Sequence, residues 1–197
     1  MTGRAGVFLD RDGTIIELIP YLHEPERVAL VPRAAESLRR LAEDGYALVV
    51  VTNQSGVARG YFTMEDVDRV NERMVALLGR EGCVVDGIEI CPHHPDSTGE
   101  CECRKPKPGM LLRAADRLGL ELSRSWVIGD RMEDLLAGRI VGCSGILVLT
   151  GYGREEALKA PADAWKAVRY VAWDLPSAVA YIRAARDAGN EPSGTSL

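Results

Sequence analysis

Long apolar runs, runs of basic residues and aromatic side chains are all scarce in this chain of 197 residues. The longest aliphatic stretch, YALVVV at residues 46–51, is far shorter than the roughly 20 apolar residues that a membrane-spanning helix needs. The opening MTGRAGVFLDRDG reaches a charged residue after only three apolar ones, too few for the apolar segment of a signal peptide. Acidic residues outnumber basic ones by 29 to 24, which disfavours a surface for nucleic acids or anionic membranes. We therefore expect a cytoplasmic protein with small-molecule partners and no nucleic-acid or membrane partner.

Cysteine is also infrequent, but its distribution is uneven. Three of the five cysteines and two of the three histidines lie in the segment CPHHPDSTGECECRKPKPG at residues 91–109. Structural disulfides are rare in a reducing compartment, and Cys101 and Cys103 are too close in sequence for an unstrained bond. The cluster therefore indicates a metal site, with free or oxidised thiols as the alternative. Cys83 and Cys143 lie outside it and are expected to be small buried residues.

Strand-like and helix-like segments alternate along the chain. Short apolar segments predict strands at residues 6–10, 46–51, 86–91, 125–130 and 145–150. Amphipathic segments predict helices from Pro32 to about Asp44, after Thr63 as N-cap, from Pro108, near Met132 and from Pro176. This alternation predicts an α/β fold, a doubly wound and mainly parallel sheet with helices on both faces. We expect one domain over residues 1–188 and a disordered tail over residues 189–197.

Polar residues follow the predicted strands, and the carboxyl ends of parallel strands meet at one edge of a sheet. Asp10 and Asp12 end the first strand and Asp130 ends the fourth. Three converging carboxylates require a cation, and oxygen ligands with room for water and phosphate favour Mg²⁺. Asp10 could then attack phosphorus, and Asp12, protonated near neutral pH among anionic neighbours, could supply and recover the proton. A solvated turn is the competing interpretation of an Asp-x-Asp pattern, but the position after a strand, with Gly13 beside it, disfavours that interpretation.

Four segments, FLDRDGT, VVVTNQSG, RKPKPGM and IGDRMED, occur in this order and together resemble the signature segments of the haloacid dehalogenase (HAD) superfamily of phosphatases. The resemblance covers about residues 5–150 and implies a Rossmann-like core. It implies that Asp10 is the nucleophile and Asp12 the acid/base. It also implies that Mg²⁺ is held by Asp10, Asp130 and the backbone carbonyl of Asp12. Thr52 would bind the phosphoryl group and Lys105 would balance its charge, and the intervals between the segments leave no room for a large cap domain.

The Cys/His segment has a counterpart in branches of the superfamily with a zinc loop. Cys91, Cys101 and Cys103 together with one histidine would complete a closed tetrahedral site, which is typical of structural zinc. The resemblance assigns His93 as that ligand rather than its neighbour His94. Zinc would hold the loop so that the basic residues after Cys103 face the phosphate site.

Two such branches are similar to this chain, the heptose bisphosphate phosphatases and the histidinol-phosphate phosphatases, and the first resembles it more closely. Arg104 and Arg131 would supply the extra positive charge that a bisphosphate requires. The other residues expected at the substrate are Tyr21, Asn53, Gln54 and Ser55. The segment Leu18-Ile19-Pro20 departs from the pattern of the heptose branch, in which an acidic residue and a glycine are common before the tyrosine.

Two functions of other classes remain open. A receiver domain also carries an aspartate at a strand end, but it needs a stable phospho-aspartate, which Asp12 and the zinc loop disfavour. A zinc-dependent binding module would need a basic or aromatic surface, and this acidic chain with 6% aromatic residues offers none. The resemblance also implies a monomer.

Overall fold

The computed structural model describes residues 3–190 and 192 and contains one six-stranded parallel sheet. The strands are β1 (Gly6–Leu9), β2 (Ala47–Asn53), β3 (Gly87–Cys91), β4 (Trp126–Gly129), β5 (Ser144–Val148) and β6 (Val168–Ala172). The helices are α1 (Ala34–Glu43), α2 (Ser55–Ala58), α3 (Met64–Gly79), α4 (Pro95–Thr98), α5 (Gly109–Leu118), α6 (Met132–Ile140), α7 (Gly153–Lys159) and α8 (Leu175–Asp187). Single 3₁₀ turns occur at Pro25–Arg27, Leu122–Arg124 and Ala164–Ala167.

The strand order β3-β2-β1-β4-β5-β6 is that of a doubly wound sheet, which confirms the predicted fold class. The chain builds outward from β1 to β3 and then returns to the other side of β1 with β4. The order therefore reverses between β1 and β4, and a crevice opens there outside the carboxyl ends of the strands. Asp10 follows β1 and Asp130 follows β4, so the topology places both aspartates at this crevice.

The core consists of two apolar layers, one on each face of the sheet. In β1, Val7 and Leu9 pack on one face with residues of α1, α3 and α8, and Phe8 packs on the other with residues of α5 and α6. The strands alternate in this way because successive side chains point to opposite faces, and both faces are apolar because helices cover both. The buried sheet gives the loops at its carboxyl edge a rigid support.

Most of the predicted elements are present, with shifted ends. The predicted cap of α3 is confirmed, since Thr63 Oγ1 accepts from the backbone N–H of Asp66 and Asp66 Oδ2 accepts from that of Thr63. Strand β6 was not predicted, because this edge strand alternates apolar and polar residues weakly and is only partly buried. The short helices α2, α4 and α7 were not predicted either.

The end of the chain is described only in part. The backbone N–H groups of Gly189 and Asn190 donate to the last turn of α8. Most of the predicted tail lies outside the described residues, so both the tail and the single domain over residues 1–188 stay predictions. None of the helices in the described part of the chain is long and apolar enough to cross a membrane.

The two-layer core predicts the stability effect of a single truncation. Leu48 in β2 is fully buried, so Leu48→Ala is expected to lower the free energy of unfolding by about 2–5 kcal/mol. Urea unfolding followed by circular dichroism measures this change. Val84→Ala is the control, because Val84 is 72% exposed and its truncation is expected to cost less than about 0.5 kcal/mol. Equal losses in the two variants would contradict the assigned core.

Candidate active site and metal centres

The turn after β1 is held by one carbonyl and one glycine. The carbonyl of Arg11 accepts from the backbone N–H groups of Ile15 and Ile16, both at 3.0 Å. Gly13 has φ 86°, and a Cβ there would lie 2.5 Å from Asp130 Oδ2. Only glycine fits both this backbone conformation and this approach. The turn therefore brings the β1 segment directly against the aspartate that follows β4.

Lys105 connects two aspartates inside the protein. Its Nζ lies 2.6 Å from Asp10 Oδ1, 2.6 Å from Asp134 Oδ1 and 2.7 Å from the carbonyl oxygen of Val51. Burial alone would lower the pKa of Lys105, but the adjacent carboxylates of Asp10 and Asp134 raise it above its usual value. The ammonium group is therefore a fixed positive charge at the floor of the site.

Asp130 leaves one oxygen without a partner. Its Oδ2 accepts from the backbone N–H of Tyr152 at 2.8 Å, whereas Oδ1 is buried and makes no hydrogen bond to any residue that the structure describes. Carboxylate oxygens of Asp10, Asp130 and Asp134 lie within 4.8 Å of one another. Three carboxylates face one ammonium group, so two negative charges are left uncompensated when all are ionised. The donor set, the surplus charge and the unpartnered oxygen fit a divalent cation with oxygen ligands.

The same crowding changes the acidity of these groups. Burial raises the pKa of Asp10 to about 7, with Lys105 opposing this shift and Asp134 and Asp12 adding to it. Burial raises the pKa of Asp130 to about 8, and the nearby charges of Asp10 and Asp134 act in the same direction. Burial also raises the pKa of Asp134, although Lys105 opposes that shift. Each carboxylate therefore costs free energy to keep ionised without a cation.

Asp12 lies apart from this acidic cluster. Its carboxylate accepts from Arg11 Nε at 3.0 Å, from Arg11 Nη2 at 3.2 Å and from Gln54 Nε2 at 3.0 Å. The carboxylate that joins Asp10 and Asp130 is that of Asp134 and not, as expected from the sequence, that of Asp12. The cause is the buried Arg11 guanidinium, which gives Asp12 a cationic neighbour where anionic ones were expected. The backbone carbonyl of Asp12, which the resemblance implies as a metal ligand, is not affected by this difference.

The residues after β2 support the lysine and one wall of the site. Thr52 Oγ1 accepts from Gln54 Nε2 at 2.8 Å. The Asn53 side chain brackets the backbone of Lys105, because its Oδ1 accepts from the Lys105 N–H at 3.2 Å and its Nδ2 donates to the Lys105 carbonyl at 3.3 Å. Nδ2 also lies 3.3 Å from Glu133 Oε1. The Asn53 amide thus positions Lys105, and the expected contact of Asn53 with substrate stays a prediction.

These groups surround an open cavity of about 230 Å³. Of the residues predicted to meet phosphate or substrate, the ones that line it are Asp10, Asp12, Tyr21, Thr52, Asn53, Gln54, Ser55, Lys105 and Arg131. Leu18, Ile19 and Pro20 form an apolar part of its wall. The Arg131 guanidinium lies over the ring of Tyr152, 4.0 Å from its centre. The cavity thus has a charged floor, one basic side and one apolar side.

Arg104 does not belong to this lining. Its Nη1 donates to the backbone carbonyl of His93 at 3.2 Å, so the side chain supports the Cys/His loop. The assignment of Arg104 to substrate recognition stays a prediction.

The four predicted zinc ligands lie together. Cys91 Sγ lies 3.6 Å from Cys101 Sγ and 3.1 Å from Cys103 Sγ, and Cys101 and Cys103 are 3.4 Å apart. His93 Nδ1 lies 3.3 Å from Cys103 Sγ and 3.8 Å from Cys91 Sγ. A regular tetrahedron with Zn–S bonds of about 2.3 Å has edges of about 3.8 Å, close to these separations. The thiols form no disulfide, and the cluster could hold a zinc ion.

The remaining histidine and cysteines of the sequence prediction lie elsewhere. His94 Nε2 lies 2.7 Å from Arg59 Nη2, and its Nδ1 accepts from the N–H of Asp96, so neither nitrogen belongs to the sulfur cluster. Cys83 and Cys143 are buried in the apolar core, as predicted.

No role was predicted for three residues that shape the site, namely Arg11, Asp134 and Tyr152. Asp134 follows Asp130 by one helical turn, and this spacing on a helix that starts at the site is a signal that could have identified it. Arg11 is a basic residue between two functional aspartates, which is a weaker signal. Tyr152 acts through its backbone N–H and its ring position, and the sequence carries no signal for either.

Comparison with known proteins gives consistent matches. The family described as HAD-hydrolase-like matches residues 102–178. The D-glycero-beta-D-manno-heptose-1,7-bisphosphate 7-phosphatase of Photorhabdus laumondii is 41% identical over 92% of this chain and 98% of its own. The protein of the same name from Yersinia pestis is 42% identical over 88% and 94%.

Solved structures of similar proteins share the fold. The D,D-heptose 1,7-bisphosphate phosphatase from B. bronchiseptica, complexed with magnesium and phosphate, superposes with a TM-score of 0.82. It is 33% identical and the match covers 91% of this chain and 98% of that one. The corresponding protein from Burkholderia thailandensis has a TM-score of 0.67 at 28% identity, with 90% and 97% covered.

The raised pKa values of Asp10 and Asp130 predict how stability depends on pH without Mg²⁺. Asp10 and Asp130, with pKa values of about 7 and about 8, hold protons in the folded protein that an unfolded chain loses near pH 4. Stability therefore falls as the pH rises through the interval from about 4 to about 8, and between pH 6 and pH 8 the melting temperature is expected to decrease. Asp130→Asn removes one of these groups, so its melting temperature is expected to decrease less over that interval.

Thermal unfolding at pH 6 and pH 8 in Mg²⁺-free buffer measures both proteins. Asp163→Asn serves as the control, because Asp163 is an exposed surface carboxylate. An Asp130→Asn protein with the same pH dependence as the wild type would contradict the assigned cause.

Proposed function

Because this chain belongs to the D-glycero-beta-D-manno-heptose-1,7-bisphosphate 7-phosphatase family of HAD-like hydrolases, we propose that it acts on the same sugar bisphosphate. The reaction removes the 7-phosphate and gives heptose 1-phosphate, which would feed the synthesis of nucleotide-activated heptose. The observation that carries the proposal is the buried contact of Asp10 with Lys105 at the floor of an open cavity. In this proposal the protein is a cytoplasmic monomer with one domain over residues 1–188.

Asp10 is the nucleophile. Lys105 binds its Oδ1, so Oδ2 is the oxygen that attacks phosphorus and the P–O bond to the sugar breaks. The aspartyl-phosphate is then attacked by water, which breaks the bond between phosphorus and Asp10. Lys105 would offset the charge of the phosphoryl group and the Thr52 hydroxyl would donate to it, and their fixed positions cost no reorganisation when charge develops there.

Asp12 is the general acid in the first step and the general base in the second. It gives a proton to the departing sugar oxygen and takes one from the attacking water. Arg11 and Gln54 hold the Asp12 carboxylate in the cavity wall. It is thus separate from the carboxylates that would bind the metal ion and is available for proton transfer.

The residues that would hold Mg²⁺ are Asp10 and Asp130 through their carboxylates and Asp12 through its backbone carbonyl. Both oxygens of Asp134 are engaged, one with Lys105 and one with the N–H of Arg131, so Asp134 positions the lysine. When bound, Mg²⁺ would offset the negative charge of these carboxylates and of the phosphate. The magnesium in the B. bronchiseptica structure supports this choice of ion.

Substrate recognition depends on the wall of the cavity. Arg131, fixed over the Tyr152 ring, offers positive charge for the second phosphate. Tyr21, Gln54 and Ser55 lie where the sugar would be held, while Leu18, Ile19 and Pro20 offer only apolar contact. Arg104 would reach the substrate only by giving up its bond to the His93 carbonyl.

Zinc bound by Cys91, His93, Cys101 and Cys103 has a structural role. The set has four ligands and leaves no open position for chemistry. Cys103 is two residues from Lys105, so the ion would fix the segment that delivers the lysine. Burial opposes ionisation of Cys101, but hydrogen bonds from Cys103 and from the Arg104 backbone lower its pKa to about 7, whereas burial raises the pKa values of Cys91 and Cys103. Zinc binding to these two thiols would therefore release protons.

Phosphate release with Mg²⁺ tests the function. We expect the protein to hydrolyse heptose 1,7-bisphosphate, in one anomeric form or both, at least about tenfold faster in kcat/KM than histidinol phosphate. Asp10→Asn is expected to lower kcat by at least about 1,000-fold, because it removes the nucleophile and keeps the size of the side chain.

The matched control is Asp116→Asn, an exposed aspartate on α5 away from the cavity. A preference for histidinol phosphate would replace the substrate and leave the chemistry in place. A phosphorylated Asp10 that does not turn over would point to a phospho-acceptor protein, and no activity at all would point to a binding module.

Metal analysis tests the zinc site. The purified protein is expected to contain about one zinc per chain, and Cys101→Ser is expected to lose most of it. The loss should lower the melting temperature and kcat together, since the same segment carries Lys105. Cys143→Ser is the control, because Cys143 lies outside the cluster and should leave the zinc content unchanged. A zinc-free wild-type protein with full activity would refute the proposal.

A further inference from the structure

Arg11 is the one arginine among the buried polar and charged residues of the described chain, with 1% of its surface exposed. Its Nε and Nη2 donate to the two oxygens of Asp12, and its Nη1 donates to Asn71 Oδ1 at 2.8 Å. Asn71 is itself buried on α3. The guanidinium is therefore anchored on one side by the core and holds a carboxylate on the other.

The contacts of Arg11 are directed at Asp12 alone among the acidic groups of the site. The cluster of Asp10, Asp130 and Asp134 contains no Arg11 contact, although it carries uncompensated negative charge. A buried arginine that served only to neutralise the site would gain more from the cluster. Its place beside Asp12 separates that carboxylate from the metal-binding ones.

The hydrogen bonds also distinguish the two oxygens of Asp12. Oδ2 accepts from Arg11 Nε and from Gln54 Nε2, both at 3.0 Å, and these two donors use its lone pairs. Arg11 Nη2 lies between the two oxygens, 3.0 Å from Oδ2 and 3.2 Å from Oδ1, and within the described chain Oδ1 has no other donor. One lone pair of the carboxylate stays open, and it belongs to Oδ1.

We propose that Arg11, anchored by Asn71, is a positioning residue that orients Asp12 so that Oδ1 carries the proton exchanged in the reaction. The inference rests on the proposed function, in which Asp12 acts as acid and base. In the first step, the proton leaves Oδ1 for the sugar oxygen as the P–O bond breaks. In the second, water gives a proton to Oδ1 as its oxygen bonds to phosphorus and the bond to Asp10 breaks.

A comparison of two leaving groups distinguishes a role of Arg11 in proton transfer from a merely structural role. A sugar oxygen needs a proton in order to leave, whereas p-nitrophenolate leaves readily without one. Arg11→Gln is therefore expected to lower kcat for the sugar phosphate at least about tenfold and for p-nitrophenyl phosphate less than about threefold. KM should change little, since Arg11 does not itself line the cavity. Arg11→Lys keeps the charge but not the two-pronged geometry and is expected to recover kcat only in part.

The double variant tests whether Arg11 acts through Asp12. If it does, Arg11→Gln combined with Asp12→Asn is expected to have the kcat of Asp12→Asn alone, within about threefold. Arg69→Gln is the control, because Arg69 is an exposed arginine on the same helix as Asn71, and both substrates should be hydrolysed as by the wild type. Equal losses on both substrates, or losses that multiply in the double variant, would overturn the proposal.

Removal of a buried arginine can prevent folding, so Asn71→Ala provides a second route. It removes the anchor and keeps Arg11. We expect kcat for the sugar phosphate to fall more than kcat for p-nitrophenyl phosphate, by a smaller factor than in Arg11→Gln. Equal losses of kcat on the two substrates would contradict the proposal. Histidinol phosphate takes the place of the sugar phosphate if the protein prefers it. In that case the proposed substrate is wrong, but the comparison with p-nitrophenyl phosphate still tests the role of Arg11.

Discussion

The ion pairs of Lys105 with Asp10 and Asp134 are the constraint on which the rest of the site depends. A buried ammonium group is stable only when its charge and its hydrogen bonds are matched, and here two carboxylates and the Val51 carbonyl do this. Each partner comes from a different part of the chain. The pairs therefore hold the turn after β1, the end of β2, the start of α6 and the Cys/His segment in one arrangement.

This arrangement stores electrostatic free energy. Three buried carboxylates with one ammonium group are unfavourable by themselves, and the unpartnered oxygen of Asp130 adds to the cost. The rigid core offsets that cost, because the sheet fixes the ends of β1 and β4 whatever the charges do. Arg11 binds the Asp12 carboxylate and so keeps it apart from the cluster of Asp10, Asp130 and Asp134. Aspartates that are close in sequence therefore have different environments.

Much of this could be predicted from the sequence, for identifiable reasons. The strands β1, β2, β4 and β5 are apolar because helices cover both faces of the sheet, so their positions were clear from composition alone. The edge strand β6 was missed because it is half exposed and carries Arg169 and Tyr170. Asp10 and Asp130 were expected together because parallel strands end at one edge of the sheet, whereas Lys105 was expected there only from the family resemblance. The orientation of Asp12 and the use of the Asn53 amide depend on side-chain partners distant in sequence, which no local pattern encodes.

The cavity has two parts with different supports. Its floor is fixed by buried ion pairs and by backbone contacts such as that of Gly13 with Asp130, whereas the wall at Leu18, Ile19 and Pro20 belongs to a partly exposed loop between β1 and α1. The side chains of Leu18, Ile19 and Pro20 make none of the hydrogen bonds or ion pairs that hold Asp10, Asp12 and Lys105. A change of side chain at these three positions would therefore reshape the part of the pocket that meets the sugar and leave the charged floor as it is.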